Sequence, residues 1–385
     1  MPNHLQDVVS PPLSRRERFR AYMRHFSPAA PALELIESGV VLEDLHESVH
    51  QHLAARADLE PGSQQLVVGG VGSGKTTVLL LTEKRLKEQS KTLPLYIDVA
   101  AMTDLASVNA GAIVTGFALE LGAALLRDRN AAEEGEMPPL KDWFDQILEF
   151  AYGTHGKPNL PFPPLQRDLT QIQDPLDQSV ASCRRWYDPV AIFDGLDRLA
   201  VVDRFWEVVY QDFRLMKQLG VSVISAAPIS VLFGPGRSLV GRFDRVHHLP
   251  ALRPGGSGRT QLRLVLERRD VLSMLGDEER SLICDASGGL LRDLIALARD
   301  AGEEAYIAGG ERIAKEHVLT AVHQLGVSYL HGLGAVHLGA IQSLQSSKAF
   351  DLNRPENMEL LVTRRVLECS PTEFRVHPAL DLARL

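Results

Sequence analysis

The chain of 385 residues has little that would staple it, anchor it or export it. Its three cysteines, Cys183, Cys284 and Cys369, are far apart and stand at no metal-ligand spacing. That excludes a disulfide framework or a cysteine-based zinc site and fits reduced thiols in a cytoplasmic protein. The start, Met1-Pro2-Asn3-His4, carries no apolar signal core. There is no overall positive charge: the formal net charge is −8. A grip on nucleic acid by the whole protein is thereby disfavoured, which leaves a local basic patch. No repeat of fixed period is present. The most apolar stretch, Leu105 to Leu126, is interrupted by Asn109, Glu120 and three glycines. Those groups would be costly in lipid, so the stretch reads as a buried helix on a sheet and no membrane contact is expected. His247, His248 and His377 have no carboxylate or cysteine at ligand spacing and read as structural. What is present is ordinary for a globular protein, with 45% hydrophobic and 23% charged residues. The length allows two or three domains.

The chain divides into four expected parts. Residues 1–40 form an N-terminal arm. Its first 13 residues are proline-rich and read as disordered, and Ser14-Arg15-Arg16-Glu17 reads as a capping box opening a helix. Arg15, Arg16, Arg18, Arg20 and Arg24 make that helix basic, either as a solvated face or as a contact arm for a partner or phosphate backbone. Residues 41–255 form an α/β core, beginning with a helix from about Leu42 to Ala57 that Pro61-Gly62 breaks. Apolar runs at Leu66-Val68, Leu95-Val99, Val190-Asp194 and Val221-Ser225 alternate with helix-like segments. They predict a parallel sheet covered on both faces, a three-layer αβα arrangement. Residues 128–185 read as an insertion with a helix near Leu140 to Tyr152 and a long loop, including the acidic Glu133-Glu136 and the Pro/Gly-rich Gly153-Pro164. Residues 256–325 read as a helical lid. Residues 326–385 read as two or three short helices and a hairpin turning at Ser370-Glu373, the pattern of a winged helix.

One motif carries most of the chemistry. Gly69, Gly70, Val71, Gly72, Ser73, Gly74, Lys75 and Thr76 fit G-x-x-x-x-G-K-[ST], between a strand and a helix that continues through Thr77. Glycines let backbone N–H groups turn toward phosphate oxygens, and the helix N-terminus adds partial positive charge. Lys75 is expected on the β- and γ-phosphates and the Thr76 hydroxyl on Mg²⁺. Val190 to Asp194 ends an apolar run on a carboxylate and resembles a Walker B motif, with Asp194 holding Mg²⁺.

Further resemblances follow. Asp-Gly-Leu-Asp-Arg at 194–198 resembles the pattern in STAND ATPases and KAP-type P-loop proteins, with Gly195 where many ATPases have a glutamate. Asp197 either orients water or serves as a surface partner of Arg198 or a helix cap. Gly241-Arg242-Phe243-Asp244-Arg245 resembles the run after the sensor-1 strand of AAA ATPases. The resemblance implies that Arg242 and Arg245 reach the γ-phosphate of a neighbouring subunit; the alternative is pairing with local acids such as Asp244. The polar sensor-1 residue expected near Pro228 is missing, and Ser225 is the nearest substitute. Ser287-Gly288-Gly289-Leu290-Leu291-Arg292 resembles the sensor-2 region of AAA+ proteins, especially the origin-recognition branch. It implies that Arg292 touches nucleotide, or else is a helix-surface arginine beside Asp293.

Together these resemblances imply an AAA+/STAND-like ATPase that binds and slowly hydrolyses ATP with Mg²⁺ as a conformational or assembly switch. A homo-oligomer and a separately encoded partner, as in a prokaryotic defence or regulatory system, are the expected company. Two alternatives stand beside it: a nucleic-acid-associated AAA+ ATPase of loader or transposition type, and a non-hydrolysing nucleotide-bound scaffold. Residues 331–385 carry six basic and six acidic side chains, a balance poor for phosphate neutralisation. Nucleic acid is therefore open but not favoured, and the C-terminal part is expected to pack on the nucleotide domain.

Overall fold

The computed structural model describes residues 13–27, 36, 45–46, 48–89, 91–127, 137–153, 170–199, 201–233, 237–253 and 255–382. The proline-rich start, the acidic 133–136 segment and the 154–164 loop expected from sequence lie outside the described residues. Fourteen α-helices of five residues or more stand among the described residues. They are α1 (Arg15–His25), α2 (Val49–Leu59), α3 (Lys75–Lys87), α4 (Ala112–Arg127), α5 (Met137–Tyr152), α6 (Thr170–Cys183) and α7 (Val202–Gln218). Then come α8 (Gly256–Arg269), α9 (Asp277–Ala286), α10 (Leu291–Ile307), α11 (Lys315–Leu330), α12 (Ala335–Ser347), α13 (Pro355–Val362) and α14 (Pro378–Leu382). The strands are β1 (Gln64–Gly69), β2 (Thr92–Asp98), β3 (Asp188–Asp194), β4 (Ser222–Pro228), β5 (Arg245–Leu249), β6 (Val366–Ser370) and β7 (Glu373–Val376).

Two compact units form, each from separate stretches of chain. One comprises residues 43–251 and 333–376, the other 1–42, 252–332 and 377–385. The first contains a parallel sheet in the order β2-β3-β4-β1-β5. Successive side chains of a strand point to opposite faces, so the continuous apolar runs feed two cores. Leu66, Val68, Ile97, Phe193 and Val223 pack with α4, α5, α6 and α7. Val67, Ile192, Ile224 and Leu249 pack with α2 and α3. This is the three-layer αβα arrangement read from the sequence.

Of the apolar 105–126 stretch expected to be one helix, residues 105–111 form turns and only Ala112 onward becomes α4, whose start is held from outside. Asp212 of α7 accepts from the N–H groups of Gly111 (2.6 Å), Ile113 (3.0 Å) and Val114 (3.2 Å). These are donors that a helix N-terminus cannot satisfy internally. Among the described residues no helix is long and apolar enough to cross a membrane. The 128–185 stretch holds α5, where a helix was expected, and also α6, a second helix that the polar sequence around Pro175 hides.

The second part of this unit is a helix pair, α12 and α13, followed by the antiparallel hairpin β6–β7. The hairpin packs against the sheet's β5 edge. Ala251 N donates to Glu368 O (3.1 Å), the His248 ring contacts the Glu368 carboxylate, and Phe374 meets Phe233 edge-on at 5.8 Å.

The other unit is helical. The capping box on α1 forms, with the Ser14 N–H donating to Glu17 and the Glu17 N–H to the Ser14 hydroxyl. Phe19, Tyr22 and Phe26 are buried, and Arg15 donates to Gly310 O (2.8 Å) while stacking on Tyr306. Arg16, Arg20 and Arg24 form an exposed stripe. So the basic helix is docked through one face and solvated on the other.

Candidate functional site

β1 is buried along its whole length between β4 and β5, and the phosphate loop follows from its end. A Cβ on Gly69 would lie 2.6 Å from both Leu249 O and Ser73 Oγ, so the strand must end in glycine. Gly72 and Gly74 have φ of +85° and +100°, a region costly for other residues. The loop then delivers Lys75 as the first residue of α3.

Lys75 is 4% exposed. Its ammonium donates to Gly69 O (2.7 Å) and Gly70 O (2.8 Å) and forms an ion pair with Asp197 (2.9 Å). Asp197 reaches it because Leu196–Arg198 make a single 3₁₀ turn after β3. Asp197 is thus turned into the loop, while Arg198 is exposed. Asp194 lies at the end of β3, accepting from the Tyr96 hydroxyl (2.7 Å) and from the N–H of Gly195 (2.7 Å). Burial, then the nearby Asp194 charge, pushes the Tyr96 phenol far up, so it serves as a donor throughout the accessible pH range.

Sequence reasoning missed two groups here. Tyr96 is one. The other is His46, whose Nε2–H donates to Ser73 O (2.7 Å) and braces the loop. Burial holds this imidazole below its ordinary range and therefore neutral. No spacing rule could have found it, because the contact joins residues brought together only by the fold.

The residues present suit a phosphate and a hard cation. The Ser73 hydroxyl is buried without a hydrogen-bond partner, and Thr76 is an exposed residue at the start of α3. Among the described residues no three His, Cys, Asp or Glu side chains form a metal cage. Magnesium commonly takes part of its coordination from phosphate and water, so the oxygen donors Thr76 and Asp194 fit that partial role.

Three other candidates in this unit, Ser225, Arg242 and Arg245, share no hydrogen bond or ion pair with this cluster among the described residues. Ser225 sits in β4 beside Phe193, buried, with its hydroxyl donating to Ala226 O (3.0 Å). Arg245 begins β5 in register with Gln65, four residues before Gly69, or roughly 13 Å along the strand. Arg242 closes the 3₁₀ segment 237–242 and lies over the Tyr210 ring at 5.0 Å. Neither arginine pairs with Asp244, whose carboxylate accepts from Gln64 N (2.7 Å) and meets Lys217 (3.3 Å). Arg292 belongs to the helical unit, exposed in the first turn of α10. The turn before it needs its glycines: Gly289 has φ of +90°, and a Cβ there would sit 1.7 Å from Leu252 O. Asp293 next to it is buried, accepting from the Tyr329 hydroxyl (2.6 Å) with His377 Nε2 at 3.2 Å.

The fold and the loop geometry define a P-loop nucleotide-binding protein with a three-layer αβα core. No protein-family model matches the chain, and no curated protein matches it. Among solved structures it is similar to a chain of Drosophila ORC bound to DNA, at 16% identity and TM-score 0.49, covering 93% of this chain and 82% of that one. It is similar to the Aeropyrum pernix Orc1 protein in complex with DNA, at 16% identity and TM-score 0.49, covering 97% of each chain. It is also similar to the Thermotoga maritima RuvB Holliday junction branch migration motor, at 13% identity and TM-score 0.44, covering 92% of this chain and 95% of that one.

Proposed function

We propose that this chain is an AAA+/STAND-like ATPase of the cytoplasm in which bound nucleotide sets a conformational or assembly state. The observation that carries the reading is the hold on Lys75. The cradle's own cation is retained by two loop carbonyls and Asp197, the position from which it can be handed to phosphate. When ATP arrives, Lys75 exchanges those partners for β- and γ-phosphate oxygens. The Asp197 carboxylate is then released beside the phosphate, where it can orient the attacking water. Thr76 and Asp194 would hold Mg²⁺, which would neutralise charge on the phosphates. Arg242 and Arg245 lie toward the opposite end of β1 from their own loop, a placement that suits action on a neighbouring copy. Arg292 is assigned to nucleotide sensing from the helical lid, and the four-part division at residues 40, 255 and 325 is retained for this reading.

The hairpin β6–β7 packed on the β5 edge favours an internal, state-holding role for the C-terminal part. Its contacts through Glu368 and Phe374 use the element that a winged helix would present to DNA.

The test is calorimetric ATP binding and turnover of wild type, Lys75→Ala and Asp197→Asn, with and without duplex DNA at low salt. Lys75→Ala is expected to abolish binding, and unchanged binding would refute the phosphate assignment. Stimulation by DNA would favour the loader-type alternative. Tight binding with no turnover in any state would favour the scaffold.

A further inference from the structure

At the end of the sheet away from the phosphate loop lies a cavity of about 510 Å³, a volume suited to a small molecule. One wall is a single face of α7. Trp206, Val209, Tyr210, Phe213, Arg214 and Lys217 recur at the three- and four-residue spacing that aligns side chains on a helix. The facing wall comes from the 237–243 segment, where Phe243 lies 6.1 Å from both the Trp206 and Phe213 rings. Gln64, the first residue of β1, closes the floor.

The charge at this cavity is one-sided. Its lining holds three cations, Arg214, Lys217 and Arg242, and no carboxylate. Lys217 is matched by Asp244 at 3.3 Å. Among the described residues, neither Arg214 nor Arg242 has an ion-pair partner; Arg242 makes do with the Tyr210 ring and hydroxyl. Guanidinium groups recognise carboxylate, phosphate and sulfonate, and aromatic walls recognise flat rings. Here the stripe ends in Arg214 and Lys217 and the facing segment adds Arg242, so two exposed guanidiniums without an ion-pair partner among the described residues line the cavity.

We infer that this cavity is a binding site for a small planar aromatic anion, distinct from the nucleotide site. β1 separates the two by roughly 17 Å, five residue steps. An occupant engaging Arg242 would hold back an arginine assigned above to a neighbour's phosphate. That consequence rests on the assembly reading, whereas the binding itself does not.

The probe is 1-anilinonaphthalene-8-sulfonate, titrated against the full chain by dye fluorescence. Saturable binding at one dye per chain is expected, unchanged by Lys75→Ala. The double variant Arg214→Gln, Arg242→Gln changes two exposed side chains and should weaken binding at least tenfold. N-phenyl-1-naphthylamine, the same rings without the sulfonate, should bind wild type at least tenfold more weakly than the anionic dye. The inference is overturned by equal affinity for the two dyes, by an unaffected double variant, by loss of dye binding in Lys75→Ala, or by the lack of saturable binding. The dye comparison needs no variant, so it decides the matter even if the substitutions disturb folding.

Discussion

At the scale of single residues, Lys75 and Asp197 make opposite demands on one substitution. Asp197 competes with phosphate for the lysine, so Asp197→Asn leaves a buried ammonium short of a counter-charge. ATP should then bind several-fold more tightly in an equilibrium titration. Turnover should fall by roughly a hundredfold or more, the order expected when a water-orienting carboxylate is lost. Unchanged turnover would leave Asp197 as a counterion alone. His247 gives a test in pH. Its Nε2 is buried without a partner, and burial, then the charges of Arg245, His52 and Arg56, pushes the imidazole down to about 4. A depressed folded-state value means stability that is present above about 6.5 and is lost as pH falls through about 4. Denaturant unfolding of His247→Asn should therefore lose less stability than wild type between those two pH values. Identical pH slopes would contradict it. The phosphate loop was legible from sequence because its glycines and lysine are local in the chain. Tyr96 and His46 were not, because their partners Asp194 and Ser73 are set by strand pairing and by chain entry over the loop. Asp197 stood between these cases: its carboxylate was visible, but its aim depended on a 3₁₀ turn that spacing does not fix.

At the scale of elements, Asp212 shows how one helix starts another. It replaces a local cap for α4 with three backbone bonds from across the fold. Asp212→Ala should cost about 1–3 kcal/mol by leaving buried N–H groups unpaired, read by chemical denaturation. A change under half of that would mean that α4 is held by packing alone. The strands were readable as apolar runs, since a strand buried on both faces has no polar side to disguise it. The reverse held for α6. Its Gln171, Gln173, Asp174 and Pro175 suggest a loop, and only packing of Ile172, Leu176 and Val180 into the core makes it a helix.

At the scale of the whole molecule, the arginine placement predicts assembly. Light scattering with ADP and with a slowly hydrolysed ATP analogue should show growth with the analogue in wild type and not in Arg242→Ala. A monomer in every state would remove the shared-site part of the proposal and leave a switch within one chain. The alternation of apolar runs announced the sheet core. The discontinuity of the two units was not announced, because nothing in residues 333–376 marks them as partners of β5 rather than of the helices that precede them.

The interior position of β1, between β4 and β5, has a consequence for how this protein is made. Both strands that flank it, β4 and β5, lie more than 150 residues further along the chain. A ribosome therefore releases the nucleotide-loop strand long before either neighbour exists, and the sheet can close only after about residue 249 has emerged. Such late, non-local pairing slows folding and prolongs exposure of unpaired edges. A nascent chain stalled near residue 200 should be a preferred client of chaperones and a seed for aggregation, whereas one stalled past the sheet should not.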